Sequence, residues 1–509
     1  MQYCIYPHVG NNINKMKRLT KLIYCAVLSL ILLLGCEKIT NTSVGTNYLE
    51  DISVSENSRY AISWSWTQGT NLCSNFTCGV YVRAYDSSGS PISNDIQVSP
   101  TTNGKYGTNA VGIDNTGNFV VAYEDYVYNS SNNNLSHKIY MQRYNNLGNP
   151  IGSRIFVDYG IDPQISMTSN GLFLIKYTYY TYPPGLDNKL YVKRYSITGT
   201  QIGSRILVHN EPTYTSPVGA SLTTKCNGEF AVLYSTGQSA YIKQYFANGS
   251  QKGSQILVNS GRTLFSHQSI IYNSRGEICI VYGKPTGGNS NPFLNSYFLK
   301  RFEANGNIIG TENLWDNTIA QRPSISSNAC GDYVITFKKL GTNDSIVLRP
   351  YSSTNIPEPE IRVNTTSITN ANGRVDPLVG MSSLSAITAW DDWKNNTTNR
   401  NIYHKENFIP SIMNSKVTDT IKVCRYTCRD GCTNRSIIGN PAIPGYTYLW
   451  SPSTNLDNVN IAQPTVSHPG NTASSPNFTI TYTLQTQLAN SSCCYKTKDV
   501  VVIFEEGCK

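Results

Sequence analysis

Along most of the chain apolar and polar residues alternate in short runs, and each run is closed by Gly, Asn or Asp. A period of two puts one face of a strand inward and the other outward. The stretch from Asp114 to Val157 shows the unit. A turn at Asn115-Thr116-Gly117 feeds an alternating strand, Phe119-Val120-Val121-Ala122-Tyr123. A second strand runs from Ile139 to Tyr144, and a turn at Gly148 leads to a third that ends in Ile155-Phe156-Val157. A short run upstream of the turn, as in Pro163-Gln164-Ile165-Ser166-Met167, supplies one more strand. Four strands per unit, repeated at about 50 residues, predict a β-propeller.

The unit recurs on seven aromatic-ended strands. They start at Tyr60, Phe119, Leu172, Glu229, Glu277, Asp332 and Leu384, and the first and last lack the turn glycine, as expected for terminal repeats. The next strand recurs too, in Tyr81 to Tyr85, Tyr140 to Tyr144, Tyr191 to Tyr195, Tyr241 to Tyr245 and Phe298 to Phe302. Its alternating Lys and Arg read as solvent-facing positions. The predicted fold is therefore all-β, a seven-bladed propeller over residues 49–408. The seventh unit has no fourth strand of its own before Phe408-Ile409-Pro410. Residues 36–48 are the candidate to supply it, which would close the ring and hide both sheet edges. The units resemble the propeller-like repeats of large secreted bacterial surface proteins: Phe119 to Tyr123, Ile139 to Tyr144, Gly148 and Gly152 carry the resemblance. It implies fold and surface location.

After Pro410 the period breaks. Tyr448-Leu449-Trp450-Ser451-Pro452, then Gln463-Pro464, then Thr481-Tyr482-Thr483-Leu484 and a terminal Val500-Val501-Val502 resemble the PKD-like, immunoglobulin-type modules of bacterial surface proteins. Residues 409–509 are expected to form such a sandwich, with Trp450 as its buried aromatic.

The N-terminus has a different pattern. Lys15, Lys17, Arg18 and Lys21 precede an apolar run, Leu22 to Leu34, that is too short for a stable membrane span. It ends in Leu33-Leu34-Gly35-Cys36, which resembles the lipobox of bacterial lipoproteins. The resemblance implies a signal peptide over residues 1–35, with Met16 as the start, and acylation of Cys36. The membrane is then a partner through the lipid anchor. Glu37 rather than Asp follows the cysteine, which points to the outer membrane or cell surface of a Gram-negative bacterium.

Charge narrows the partners. The formal net charge is +9, and removal of the four leader cations leaves about +5, with no basic stripe for a nucleic acid. Cysteines divide by place. Cys73 and Cys78 share one loop, and Cys424, Cys428, Cys432, Cys493, Cys494 and Cys508 crowd the C-terminal segment; these are the disulfide candidates. Cys226, Cys279 and Cys330 read as small buried hydrophobes. No metal site and no cofactor is expected.

No HExxH, GxSxG, P-loop or EF-hand motif occurs, so no catalytic residue is assigned. The long loops between second and third strands are rich in Tyr, Trp, Asn, Gly and Ser. Trp66, Tyr126, Tyr128, Tyr179, Tyr180, Tyr182, Phe293 and Trp393 are the candidate ligand contacts, because aromatic anchors among adaptable polar residues suit protein and carbohydrate surfaces. The bland alternative is that these rings fold back onto the ends of the sheets. The expected function is a non-catalytic binding or adhesion module. The alternatives are a polysaccharide-processing enzyme or glycan-binding accessory, favoured by a convergent set of acids and Arg on one face, and a structural envelope component.

Overall fold

The computed structural model describes residues 37–505 except 40–45, 68–77, 100–104, 130–133, 180–187, 212–218, 237–238, 261–268, 274–275, 286–294, 312, 317–319, 340–344, 353–354, 366–374, 384, 393–399, 409–418, 426–432, 440, 443–445, 470–476 and 489–494. Every regular element among the described residues is a strand. Between Glu37 and Phe408 these strands form seven four-stranded antiparallel sheets. Six are simple meanders, for example Lys105–Ile113, Phe119–Asn129, Asn134–Tyr144 and Pro150–Tyr159. In the seventh, Leu378–Met381, Ser385–Asp392 and Asn401–Phe408 are joined by the N-terminal Glu37–Lys38, which pairs antiparallel with Tyr403 and His404. Ile39, just beyond that pairing, is fully buried. The first strand of each sheet packs against the first strand of the next, and Thr46–Val54 packs against Leu378–Met381, so the sheets follow one another around a common axis. The architecture is a β-propeller.

Register follows from aromatic spacing. Phe119 and Tyr123 lie four residues apart on one face and pair with Tyr144 and Tyr140, also four apart. The two rungs stack at ring separations of 4.8 and 6.2 Å. The same ladder recurs as Phe173–Tyr195 with Tyr177–Tyr191, and as Phe230–Tyr245 with Tyr234–Tyr241. A slip of one residue would turn both rungs out of the core, so these pairs fix the alignment. The turns before the second strands place Gly117, Gly171, Gly228, Gly276 and Gly331 at φ of 76 to 88°. In the first unit, which lacks the glycine, Ser58 takes φ 65° in its place.

Neighbouring sheets are tied by side chains. On the third strands, Lys193, Lys243, Lys300 and Lys405 donate to the carbonyls of Val157, Val208, Val258 and Val363 on the outer strand of the preceding sheet, at 2.5 to 3.2 Å. The residues that follow two of these lysines reach the other way: Arg194 donates to Ala247 O and Gln244 to Ala304 O in the next sheet. Strand alternation explains this, since adjacent residues face opposite sides of the sheet. These lysines are therefore not the free solvent-facing positions expected from their period. Around the axis, the inner-edge N–H groups of first strands are met by side chains of the preceding first strand. Val111 N donates to Asp51, Ile113 N to Ser53, Leu222 N to Gln164 and Ile325 N to Ser269. An edge that would otherwise leave donors unpaired is thereby satisfied.

In the C-terminal segment Asp419–Cys424, Tyr495–Glu505, Phe478–Leu488 and Tyr446–Ser451 make one sheet, and Arg435–Ile437 pairs with Thr465–Ser467 in a second. Both contribute to one core that holds Trp450, Tyr482, Ile438, Val466 and Phe504. Trp450 Nε1 donates to Ile461 O at 3.0 Å. Cys424 is disulfide-bonded. So are Cys226 and Cys330, which were read as buried apolar residues; they sit in turns that link first to second strands, and Cys226 lines the inner space. Cys279, mid-strand, is a fully buried free thiol.

Candidate functional site at the loop end of the axial cavity

A cavity of about 620 Å³ runs along the first strands of the propeller. Its wall is mainly Ser, Thr, Asn, Gln and carboxyl side chains, with Lys176 among them. Four local irregularities shape the end that carries the long second-to-third-strand loops. The pairing of first and second strands breaks register between Leu49 and Asp51, between Tyr106 and Asn109, between Ile161 and Gln164, and, in a fourth sheet, between Gln321 and Ser324. Bulges of this kind re-aim side chains at the rims of β structures. Here the first three hold Glu50, Thr108 and Asp162, all of which line the cavity. Asp162 is exposed and takes φ 54° just before Pro163.

Hydrogen bonds join these residues into one cluster. Thr108 Oγ1 lies 3.3 Å from Glu124 Oε2 and 3.4 Å from Asp162 Oδ1. Glu124 meets His137 Nδ1 at 3.1 Å and also bonds Tyr126, whose ring stands edge-on to His137 at 4.6 Å. A Cβ at Gly107 would run into Glu124 Oε2 and Tyr126 Oη, so only glycine admits this approach. Ser65 Oγ donates to Gly107 O, accepts from Asn109 Nδ2 at 2.9 Å and touches Glu50. Asn109 is 3% exposed, lines the cavity, and its Oδ1 has no partner among the described residues. On the other side of Glu50, Asp391 accepts from Leu49 N at 3.2 Å and pairs with Arg400 at 2.6 Å.

Burial sets the protonation of this cluster. It pushes Glu50 up to about 8, against the Ser65 contact, and the carboxylates of Asp391, Asp162 and Glu124 push the same way. Asp51 rises to about 7 by burial, opposed by hydrogen bonds from Val111 N and Ile52 N. Burial also raises Glu124 and Asp391, which His137 and Arg400 respectively pull back. Lys176 is lowered by burial and donates to Ala220 O at 3.2 Å. The site thus gathers carboxyl, hydroxyl, amide and imidazole groups, and burial favours the protonated form of Glu50 and Asp51, so it offers both donors and acceptors. Among the described residues no group of three His, Cys, Asp or Glu is placed to hold a metal ion.

Of the residues singled out from sequence, Tyr126 belongs to this cluster. Trp66 is half-buried against the Trp64 and Tyr60 core at the same end, and Tyr179 packs edge-on to Tyr191 with the Arg205 guanidinium 5.2 Å over its ring. Tyr128 lies in Phe119–Asn129 opposite Leu135, and Cys78 opens Cys78–Tyr85. Cys36, Cys73, Tyr180, Tyr182, Phe293, Trp393, Cys428, Cys432, Cys493, Cys494 and Cys508 lie outside the described residues. Glu50, Thr108, Asn109, Asp162 and Arg400 were not picked out from sequence, whereas Glu124 and Asp391 stand out there in the paired carboxylates Glu124-Asp125 and Asp391-Asp392. The signal for them was an acid within a first strand and an Asp-Pro step just before one, at Asp162-Pro163 and again at Asp376-Pro377.

No protein-family model matches the chain, and no curated protein matches it. Solved structures similar to it include the polysaccharide lyase Uly1, at TM-score 0.48 and 10% identity over 72% of this chain and 91% of that one. A PL25 ulvan lyase bound to a GlcA-Rha3S saccharide gives TM-score 0.45 and 10% identity over 75% and 98%. The β-propeller domain of the Trilobed protease from Pyrococcus furiosus gives 0.39 and 8% over 72% and 96%. None of these likenesses carries a site onto this chain, whose chemistry rests on its own residues.

Proposed function

We propose that the chain is an exported, lipid-anchored envelope protein of a Gram-negative bacterium, built as a seven-bladed propeller followed by an immunoglobulin-like sandwich, and that it binds a glycan at the loop end of its axial cavity. The observation that carries the ligand reading is the convergence of three strand bulges, which aim Glu50, Thr108 and Asp162 into one polar cavity beneath aromatic-bearing loops. Hydroxyl, amide and near-neutral carboxyl groups match a polyol, which donates and accepts at every hydroxyl. Rings at the roots of the loops offer faces for sugar stacking. The lipobox at Cys36 and the leader before it support the envelope placement. The test is a glycan array with the full chain in detergent, repeated with Thr108→Val. The reading expects a bound saccharide class whose signal falls on that substitution. Binding that disappears only when residues 409–509 are deleted would sink it.

A second reading has its own observation. Glu124 bonds both His137 and Tyr126, the arrangement of an oriented general acid–base pair. Release of shorter saccharides from a bound polymer, abolished by His137→Ala with binding retained, would establish it.

A further inference from the structure

We propose that the loop-end site selects a saccharide that carries a free ammonium group, seated between Asn109 Oδ1 and the carboxyl groups of Glu50, Glu124 and Asp162. The inference rests on the glycan-binding reading and names the class of glycan. Its geometric basis is twofold. First, Glu124 and Asp162 share Thr108, and Glu50 and Asn109 share Ser65 on the adjacent sheet, so the acids surround one space. Second, Asn109 is held by Ser65 with its carbonyl oxygen left over, buried, and lining that space. A buried acceptor without a donor is costly and is matched by a ligand N–H.

Charge decides between ligand classes. Glu50, Asp51, Glu124, Asp162, Asp376 and Asp391 belong to this end or line the cavity. The cations described there are Lys176, already bonded to Ala220 O, and Arg400, already paired with Asp391. A uronate or sulfate would add negative charge among acids that already disfavour one another's ionisation, a neutral sugar would leave that balance as it is, and an ammonium would favour their ionised form. The acids that disfavour ionisation of Glu50 are Asp391, Asp162 and Glu124. An ammonium placed among them reverses that balance.

The test compares three oligosaccharides of equal length at pH 6 and moderate salt, using the full chain in detergent. They are a fully deacetylated glucosamine oligomer, its N-acetylated counterpart and an oligogalacturonate. Expected is about tenfold tighter binding of the ammonium form than of the acetylated one, from pairing with partly buried carboxylates. Asp162→Asn keeps a residue type that tolerates positive φ, so it folds, and it narrows the preference for the ammonium form over the acetylated form about three- to tenfold. Asn109→Ala gives a loss of the same sense, and Asp457→Asn, in the C-terminal segment, gives none. The overall positive charge of the chain makes non-specific attraction favour the galacturonate, so the expected order is not a bulk effect. Equal binding of the acetylated and deacetylated oligomers, or tighter galacturonate binding, overturns this inference and leaves the glycan reading standing. Failure of all three to bind overturns both.

Discussion

Glu56 offers a direct measurement of how the propeller handles buried acids. It follows the first strand Thr46–Val54 at the end of the axis opposite the proposed site, and it touches three other sheets. Its Oε1 accepts from Ala329 N at 2.7 Å, its N donates to Asn115 Oδ1 at 3.0 Å, and its carbonyl accepts from Ser383 Oγ at 2.9 Å. Burial raises its pKa from 4.5 to about 7, opposed by the Ala329 N–H and helped by Asp332. The folded state therefore keeps a proton that the unfolded chain has already lost, so stability falls as pH rises between about 4.5 and 7. At 1.36 kcal/mol per pKa unit the loss over this window is about 3 kcal/mol. Glu56→Gln keeps the oxygen for Ala329 N and removes the titration. The assay is urea unfolding followed by fluorescence for both proteins at pH 5 and pH 8. Wild type and variant should have similar midpoints at pH 5. At pH 8 the variant should be the more stable by about 2–3 kcal/mol. Taking the difference of differences cancels Glu50 and Asp51, whose raised pKa values slope the same way. Carboxylates held low, such as Asp158 and Glu229, act below the unfolded pKa and leave this window alone. A double difference of zero, or one that favours wild type at pH 8, would refute the account.

Other outcomes follow from the ladders and staples. Phe230→Ala empties one stacked rung against Tyr245 and should cost about 3–5 kcal/mol in the same urea assay. Lys243→Met removes the charged donor to Val208 O between two sheets and should cost about 1.5–3 kcal/mol, whereas a free surface lysine would cost almost nothing. Ile39→Ala should cost about 2–5 kcal/mol and speed hydrogen exchange at Tyr403 and His404, since Glu37–Lys38 covers that strand. The Cys279 thiol, pushed up to about 12 by burial, should resist alkylation at pH 8 in the native protein and react once urea unfolds it, as read by peptide mass spectrometry.

Local pattern carries the strands, the turns and the rung register, because each depends on residues four or five positions apart. Phe119 with Tyr123, and Tyr140 with Tyr144, are visible as spacings in the sequence. What joins one sheet to the next is not visible in that way. Lys193 reaches Val157 and Asp51 reaches Val111 across separations of 36 and 60 residues. A period-two reading sees only that Lys193 and Arg194 face opposite ways, not that both faces are occupied. The disulfides at Cys226 and Cys330 escaped notice for the same reason: each cysteine is solitary within its own repeat. The bulges at Glu50, Thr108 and Asp162 break the alternation they would have to be inferred from, so the site they build was the least legible part of the propeller.

The site and the staples have one physical origin. Along the middle of the axis, the N–H groups of Val111, Ile113, Leu222 and Ile325 are met by Asp51, Ser53, Gln164 and Ser269 of the preceding sheet. At the loop end register is broken in four sheets, and Glu50, Thr108 and Asp162 there turn to the cavity. Asp51 stands at the boundary, with one oxygen on Val111 N of the next sheet and the other on its neighbour Ile52 N. Beyond it, Glu50 meets the Ser65 hydroxyl, which also serves Gly107 O and Asn109. Burial raises the pKa of Glu50 against that contact. Among the described residues no donor meets Asn109 Oδ1. Polar groups that the fold does not need for its own closure remain there, and they are the ones the proposed glycan site uses.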